Sequence, residues 1–241
     1  MTDTTTITTN ILSEFYDVPA CVFTKDDAVV SVALGKNSHD AYMKAVDANP
    51  EAIIGASVGF SKEIDEKSKK LINACKHEII KINCNLKDYK KTVINETLDS
   101  DTDAEDARIL ALSLDKDTFK IATKTAPTAE QIEDAIFGWK ISKYLKKNSV
   151  VIAKDFKTVS LFQGENDINN MIEKALDYGC ENTKNSSMSL SFDELTPHII
   201  NACVQARVGV LIYSGGNIND KEFIKLADKY NLAILTTGIM I

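Results

Sequence analysis

The chain repeats itself. Val22-Phe23-Thr24-Lys25-Asp26, with Val30-Ser31 and Gly35 after it, returns 129 residues later as Val151-Ile152-Ala153-Lys154-Asp155, with Val159-Ser160 and Gly164 after it. Leu71-Ile72-Asn73-Ala74-Cys75 returns as Ile199-Ile200-Asn201-Ala202-Cys203, within one residue of the same spacing. A repeat of this length constrains the architecture before any local reading does, because each copy must form the same unit. The expected fold class is α/β, in two similar halves: a flexible tail over 1–14, a first half over 15–125 and a second over 126–241. A functional cleft in such a pair would most naturally lie between the halves or between subunits.

Local patterns fill in each half. Ala20–Phe23 and Ala28–Leu34 are apolar, β-branched runs around the polar Lys25-Asp26-Asp27, which predicts a tight hairpin. Ser38 is a candidate N-cap for a helix through Ala48 that Asn49-Pro50 ends. Ala52–Phe60 reads as a strand, Ser61–Cys75 as a helix and Glu78–Ile82 as a short buried strand. Asp99–Glu105 reads as a solvated acidic loop, and Arg108–Leu114 with Thr118–Thr123 as a second hairpin. Thr128 opens a long helix to about Lys147, acidic at its start and basic at its end, as the helix dipole favours. Ser149–Lys154 and Thr158–Phe162 repeat the first hairpin. Ile168–Tyr178 and Phe192–Ala206 repeat the two helices. Val208–Tyr213, Asp220–Tyr230 and Leu232–Thr236 then read as strand, helix and strand. Strands that alternate with helices imply sheets covered on both faces.

Composition excludes several classes. The net charge is -7, from 28 basic and 35 acidic side chains, and basic residues do not cluster beyond short runs such as Lys143–Lys147, so no nucleic-acid partner is expected. No apolar run is long enough to span a bilayer, and Met1–Asn10 lacks the build of a signal peptide, so a cytoplasmic protein without membrane contact is expected. The five cysteines form no Cys-x-x-Cys pair and read as reduced, mostly buried thiols. His39, His77 and His198 stand at no metal-ligand spacing, so no metal is expected.

Three places could carry chemistry. Ser214-Gly215-Gly216-Asn217 lies between a buried strand and a helix, where freed N–H groups suit a phosphate or carboxylate; it is equally a plain strand-to-helix turn. Asn148, where a basic helix meets a buried strand, could present its amide to a ligand or cap the helix. Lys25 and Lys154 are equivalent hairpin lysines, solvated or poised for an anion.

Thr125-Ala126-Pro127-Thr128, Asp134, Phe137, Trp139-Lys140 and Lys146-Lys147-Asn148-Ser149-Val150-Val151 resemble the Arg-Ala-Pro-Thr…Phe-Ala-Trp-Lys…Val-Lys-Ser-Asn-Ala-Ile-Val segment of a known family. It is the AICAR formyltransferase/IMP cyclohydrolase family, through its formyltransferase domain. Gly164, Ser187-Met188, Gly209, Ser214-Gly215-Gly216-Asn217-Ile218 with Asp220, and Ala233 to Gly238 continue the likeness, as does Asn49-Pro50 with Gly55. The resemblance implies two cytidine deaminase-like α-β-α halves and a homodimer. It also implies formyl transfer from 10-formyltetrahydrofolate, a co-substrate, to the amine of AICAR (5-aminoimidazole-4-carboxamide ribonucleotide) in purine biosynthesis. Asn148, Gly215, Gly216 and Asn217 would bind AICAR or a related purine nucleotide, and Lys25 would be the catalytic residue. The departures bear on activity. The family's Lys-His pair falls where this chain has Thr24-Lys25-Asp26, so the histidine suited to general-base work is missing. The family's Asp falls at Ser191, its Gln at Glu165 and a glycine at Ala56, and its terminal arginines and histidines have no counterpart after Ile239-Met240. Two readings follow: a formyltransferase with impaired or lost catalysis, or a non-catalytic nucleotide-binding, regulatory or assembly subunit of the same fold. In either, a partner chain could supply missing residues.

Overall fold

The structure, a computed structural model, describes residues 4–80, 82, 84–89 and 119–241. It divides into two compact units, Met1–Leu110 with Phe156–Thr158, and Ala111–Asp155 with Val159–Ile241.

In the first unit, β1 (Ala20–Lys25) and β2 (Ala28–Leu34) form an antiparallel hairpin. Its turn residues Asp26 and Asp27 have φ of 51 and 55, the left-handed pair that matches strand twist. β3 (Ser57–Phe60) pairs antiparallel with β1, and β4 (Glu78–Ile79) parallel with β3, giving the order β4-β3-β1-β2. Helix α1 (Thr4–Glu14) covers one face. It approaches β3 so closely that a Cβ on Gly59 would lie 2.3 Å from Thr8 Cγ2. Helices α2 (Ser38–Ala48) and α3 (Glu66–Ala74) cover the other face, where Phe23, Tyr42, Ala45, Val58, Phe60 and Ile72 form the core.

The second unit contains β5 (Lys120–Ile121), α4 (Ala129–Ser142), β6 (Ser149–Lys154), β7 (Lys157–Gln163), α5 (Ile168–Gly179), β8 (Ser187–Leu190), α6 (Pro197–Gln205), β9 (Val210–Tyr213), α7 (Asp220–Lys229) and β10 (Ala233–Thr236). The strand order is β7-β6-β8-β9-β10-β5, with β8, β9 and β10 parallel. Helix α4 packs Ala135 and Trp139 on Val210, Ile212, Ala233 and Leu235. The opposite face packs Val150, Ile152, Met188 and Leu211 under α5 and α6. Each unit is therefore a sheet between helical layers, as the alternation predicts.

The repeat is visible bond by bond. Cys21↔Phe60 through Thr24↔Ser57 pair in the same register as Val150↔Leu190 through Ala153↔Ser187. Ser31 Oγ donates to Ala45 O at 2.8 Å, and Ser160 Oγ to Ala175 O at 2.8 Å. Helices α3 and α6 end alike: Lys76 and Arg207 take φ of 56 and 58, and the amides of His77 and Val208 return to the carbonyls of Ile72 and Cys203.

Several expectations need correction. Residues 4–14 are not a frayed tail: α1 buries Ile7, Ile11 and Leu12, so it belongs to the first half as α4 belongs to the second. The strand expected over Ala52–Phe60 begins only at Ser57, because 51–55 form turns and Gly55 takes φ of 73. Helix α3 starts at Glu66, where Asp65 accepts from Ser68 N at 2.7 Å, and α6 starts at Pro197, capped by Thr196, five residues later than Phe192. Asn37, and not Ser38, caps α2, accepting from Asp40 N at 2.9 Å. Helix α4 has the expected Thr128 cap, closed reciprocally by Gln131, but ends at Ser142. Of the cysteines, only Cys21 and Cys203 are buried; Cys75, Cys84 and Cys180 are exposed. β5 covers part of the expected Thr118–Thr123 strand but pairs with β10. The acidic loop Asp99–Glu105 and the strand Arg108–Leu114 lie outside the described residues.

Candidate functional site

Parallel strands present their carboxyl ends together, and α/β sheets bind ligands there. In the second unit β8, β9 and β10 end at Leu190, Tyr213 and Thr236, and the next residues are Ser191, Ser214 and Thr237. A hydroxyl therefore follows each strand. β6 runs antiparallel to β8, so its start lies at the same end. Ser149 N donates to Ser191 Oγ at 2.8 Å and Ser191 N to Ser149 O at 3.1 Å.

Asn148 precedes β6 with φ of 56. Its carbonyl accepts from Gly164 N at 2.9 Å, and its Nδ2 donates to Glu165 O at 3.1 Å. It is a left-handed turn residue tying the start of β6 to the end of β7, and its amide nitrogen already has a partner. The Glu165 carboxylate is held by Lys174 Nζ at 3.0 and 3.1 Å.

The turn after β9 is tighter. Gly215 and Gly216 take φ of 72 and 96, and a Cβ on Gly215 would lie 2.9 Å from Thr236 Cγ2. Two amides of this turn are aimed at an anion. The anion is internal: Gly216 N and Asn217 N donate to Asp220 Oδ2 at 2.7 and 3.0 Å. Asp220 sits at the positive start of α7, where the dipole favours it. The turn is thus an anion cradle closed by its own carboxylate. That role of Asp220 is missed in the sequence, although its spacing of three and four residues from the two amides is the usual signal of a capping carboxylate.

Four buried polar atoms at this end have no hydrogen-bond partner: Ser149 Oγ, Tyr213 Oη, Ser214 Oγ and Asp220 Oδ1. Burial, and then the Asp220 carboxylate, push the Tyr213 phenol well above its ordinary range, so it stays neutral. Asp220 acts on that phenol without completing a hydrogen bond of ordinary geometry. A buried polar atom left unmatched costs about 1–3 kcal/mol. Tyr213 and Asp220 face one another, which leaves the two serine hydroxyls to mark this strand end as suited to a hydrogen-bonding ligand.

Lys25 stands in the first unit, its Nζ donating to Ile54 O at 2.8 Å. Lys154 does the same in the second, to Lys184 O at 2.8 Å. Both lysines hold the loop before β3 or β8, which is a structural role duplicated with the repeat. A cavity of about 880 Å3 in the second unit lies elsewhere, between α5 and α6, and its His198 and Glu173 pair with one another at 3.1 Å. Among the described residues, no three His, Cys, Asp or Glu side chains converge as a metal ion requires.

The model of the AICARFT/IMPCHase bienzyme family matches residues 1–176. The chain belongs to that family. Members similar to it are named bifunctional purine biosynthesis protein PurH. Those of Caldicellulosiruptor saccharolyticus and Acetivibrio thermocellus are 30% identical over 95% of this chain and 48% of their own length. That of Fusobacterium nucleatum is 30% identical over 93% of this chain and 48% of its own. The chain thus spans about half the length of the curated family members it matches. Acinetobacter baumannii RibD, a solved structure, shares 15% identity over 43% of the chain and 32% of its own length at a TM-score of 0.29, too distant to bear on the fold. This family member carries its glycine turn, Asn148 and the serine-lined strand ends in one unit, and Lys25 in the other.

Proposed function

We propose that this family member is an AICAR formyltransferase-like protein of purine biosynthesis with impaired catalysis. Its two halves are cytidine deaminase-like, and it works as a cytoplasmic homodimer. AICAR or a related purine nucleotide binds at the carboxyl end of the second half. Gly215, Gly216, Asn217 and Asn148 frame that site, and 10-formyltetrahydrofolate is the co-substrate. The observation that supports the placement is the pair of buried serine hydroxyls, Ser149 Oγ and Ser214 Oγ, left without a hydrogen-bond partner at that strand end.

In the reaction the AICAR amine attacks the formyl carbon. The new C–N bond forms, the bond to N10 of the folate breaks, the amine loses a proton and N10 gains one. A base must take that first proton. Thr24-Lys25-Asp26 stands where the resemblance puts the Lys-His pair and holds no histidine, and the Lys25 ammonium is held by the Ile54 carbonyl. Both favour slow chemistry. The missing histidine also supports the second reading, a non-catalytic nucleotide-binding, regulatory or assembly subunit.

Thermal unfolding with AICAR, with a folate analogue and with both tests binding, and a formyl-transfer assay on the same protein tests turnover. A ligand at a hundred times its Kd stabilises by about 2.7 kcal/mol. Stabilisation by both ligands with slow turnover is expected. Stabilisation by AICAR with no turnover selects the subunit reading, and no stabilisation by either overturns the formyltransferase reading.

A further inference from the structure

In the first unit, β3 and β4 are the counterparts of β8 and β9, and their carboxyl ends also open into a crevice. It is a cavity of about 810 Å3 formed by residues that follow β3, β4 and α1. That volume is in the range of small-molecule sites. Its chemistry differs from that of the second unit. Phe60, Ile64, Ile79, Ile80 and Leu86 supply an apolar wall with the ring of Tyr16 beside it. Tyr16, Ile64, Ile79 and Ile80 are only half-buried, so the wall is accessible.

Three lysines, Lys62, Lys69 and Lys87, border this wall against one carboxylate, Glu63. Lys62 Nζ donates to Tyr16 O at 2.8 Å, Lys69 pairs with Glu66 at 2.7 Å, and Lys87 Nζ lies 5.9 Å from the centre of the Tyr16 ring. Lys62 and Lys87 thus both meet Tyr16, on the same side of the cavity. An apolar wall repels a bare ion such as phosphate, and the lysines disfavour a cation. An apolar body with one acidic group satisfies both.

We propose that this crevice is a second ligand site, for a small amphipathic anion: a carboxylate, sulfonate or phosphate on an aromatic or aliphatic body. The apolar body lies on Ile64, Ile79 and Ile80, and the acidic group faces Lys62 and Lys87. The site stands apart from the proposed nucleotide site in residues and chemistry, so either can fail without the other.

The probe is 8-anilinonaphthalene-1-sulfonate, followed by fluorescence and calorimetry on the full chain with and without AICAR. Saturable binding of one probe per chain is expected, with AICAR leaving it unchanged. Uncharged N-phenyl-1-naphthylamine should bind several-fold more weakly. Lys87→Glu should weaken the sulfonate several-fold and leave the uncharged probe unaffected. Ile80→Ser should weaken both by about tenfold or more, the value of one buried isoleucine side chain. Circular dichroism and melting confirm that each variant folds, and if Ile80→Ser does not, Lys87→Glu decides alone. No saturable binding, sulfonate binding indifferent to Lys87→Glu, or inorganic sulfate binding as tightly as the probe overturns the proposal.

Discussion

Single residues show how the same side chain can promise chemistry and deliver structure. Lys25 has the type and place of a catalytic lysine, yet its twin Lys154 makes the same bond to a backbone carbonyl. Gly216 and Asn217 aim their amides at an anion, and Asp220, four residues from Gly216, supplies it. His77 stands at no metal-ligand spacing in the sequence. It is buried against the rings of Phe23 and Tyr42, 5.0 and 6.3 Å away, with neither ring nitrogen in a hydrogen bond of ordinary geometry. Burial lowers its pKa below the ordinary 6.5, with the Ala56 backbone pulling weakly the other way. The unfolded chain keeps the ordinary value, so below about pH 6.5 it takes up a proton that the folded chain refuses. The stability His77 supports is therefore complete above that pH and falls as pH drops below it. Urea midpoints at pH 7.5 and 5.5 should show this loss, and His77→Phe should reduce it; an equal loss in the variant would refute the account.

Among the elements, the strands were more legible than the helix starts. Hairpin strands carry apolar runs rich in valine, and Asp26-Asp27 marks the turn by itself. Helices α3 and α6 begin later than their apolar patterns because Asp65 and Thr196 outcompete earlier candidates as caps. Helix α1 was the largest miss. Its threonines have weak helix propensity, and its apolar face, Ile7, Ile11 and Leu12, is sparse. The sheet face it covers stabilises it, with Gly59 making room for Thr8. Leu12→Ala should therefore destabilise the protein by about 2–5 kcal/mol, as for other buried leucines, where a frayed tail would show no effect. Chemical denaturation of the two proteins decides between them.

At the level of the whole molecule, the duplication extends to individual bonds. Ser31 and Ser160 are buried and each donates to the carbonyl of a helix, Ala45 or Ala175, at 2.8 Å. Ser31→Ala and Ser160→Ala should each cost about 0.5–1.5 kcal/mol, the net worth of one hydrogen bond. Unequal costs, measured by urea unfolding, would show that the halves have diverged energetically where they agree geometrically. The sequence alone determined the repeat, the α/β class, the order of most elements and the resemblance to a purine-biosynthesis family. All of these follow from periodicity and short motifs, which are local. The tertiary structure decided what each polar group faces: that Asp220 closes the glycine cradle, that Lys25 holds a loop, that α1 belongs to the core, and that apolar residues and lysines border one crevice. Those facts depend on which distant residues the chain brings together, and hydrogen bonding and burial act on neighbours in space, whatever their separation in sequence.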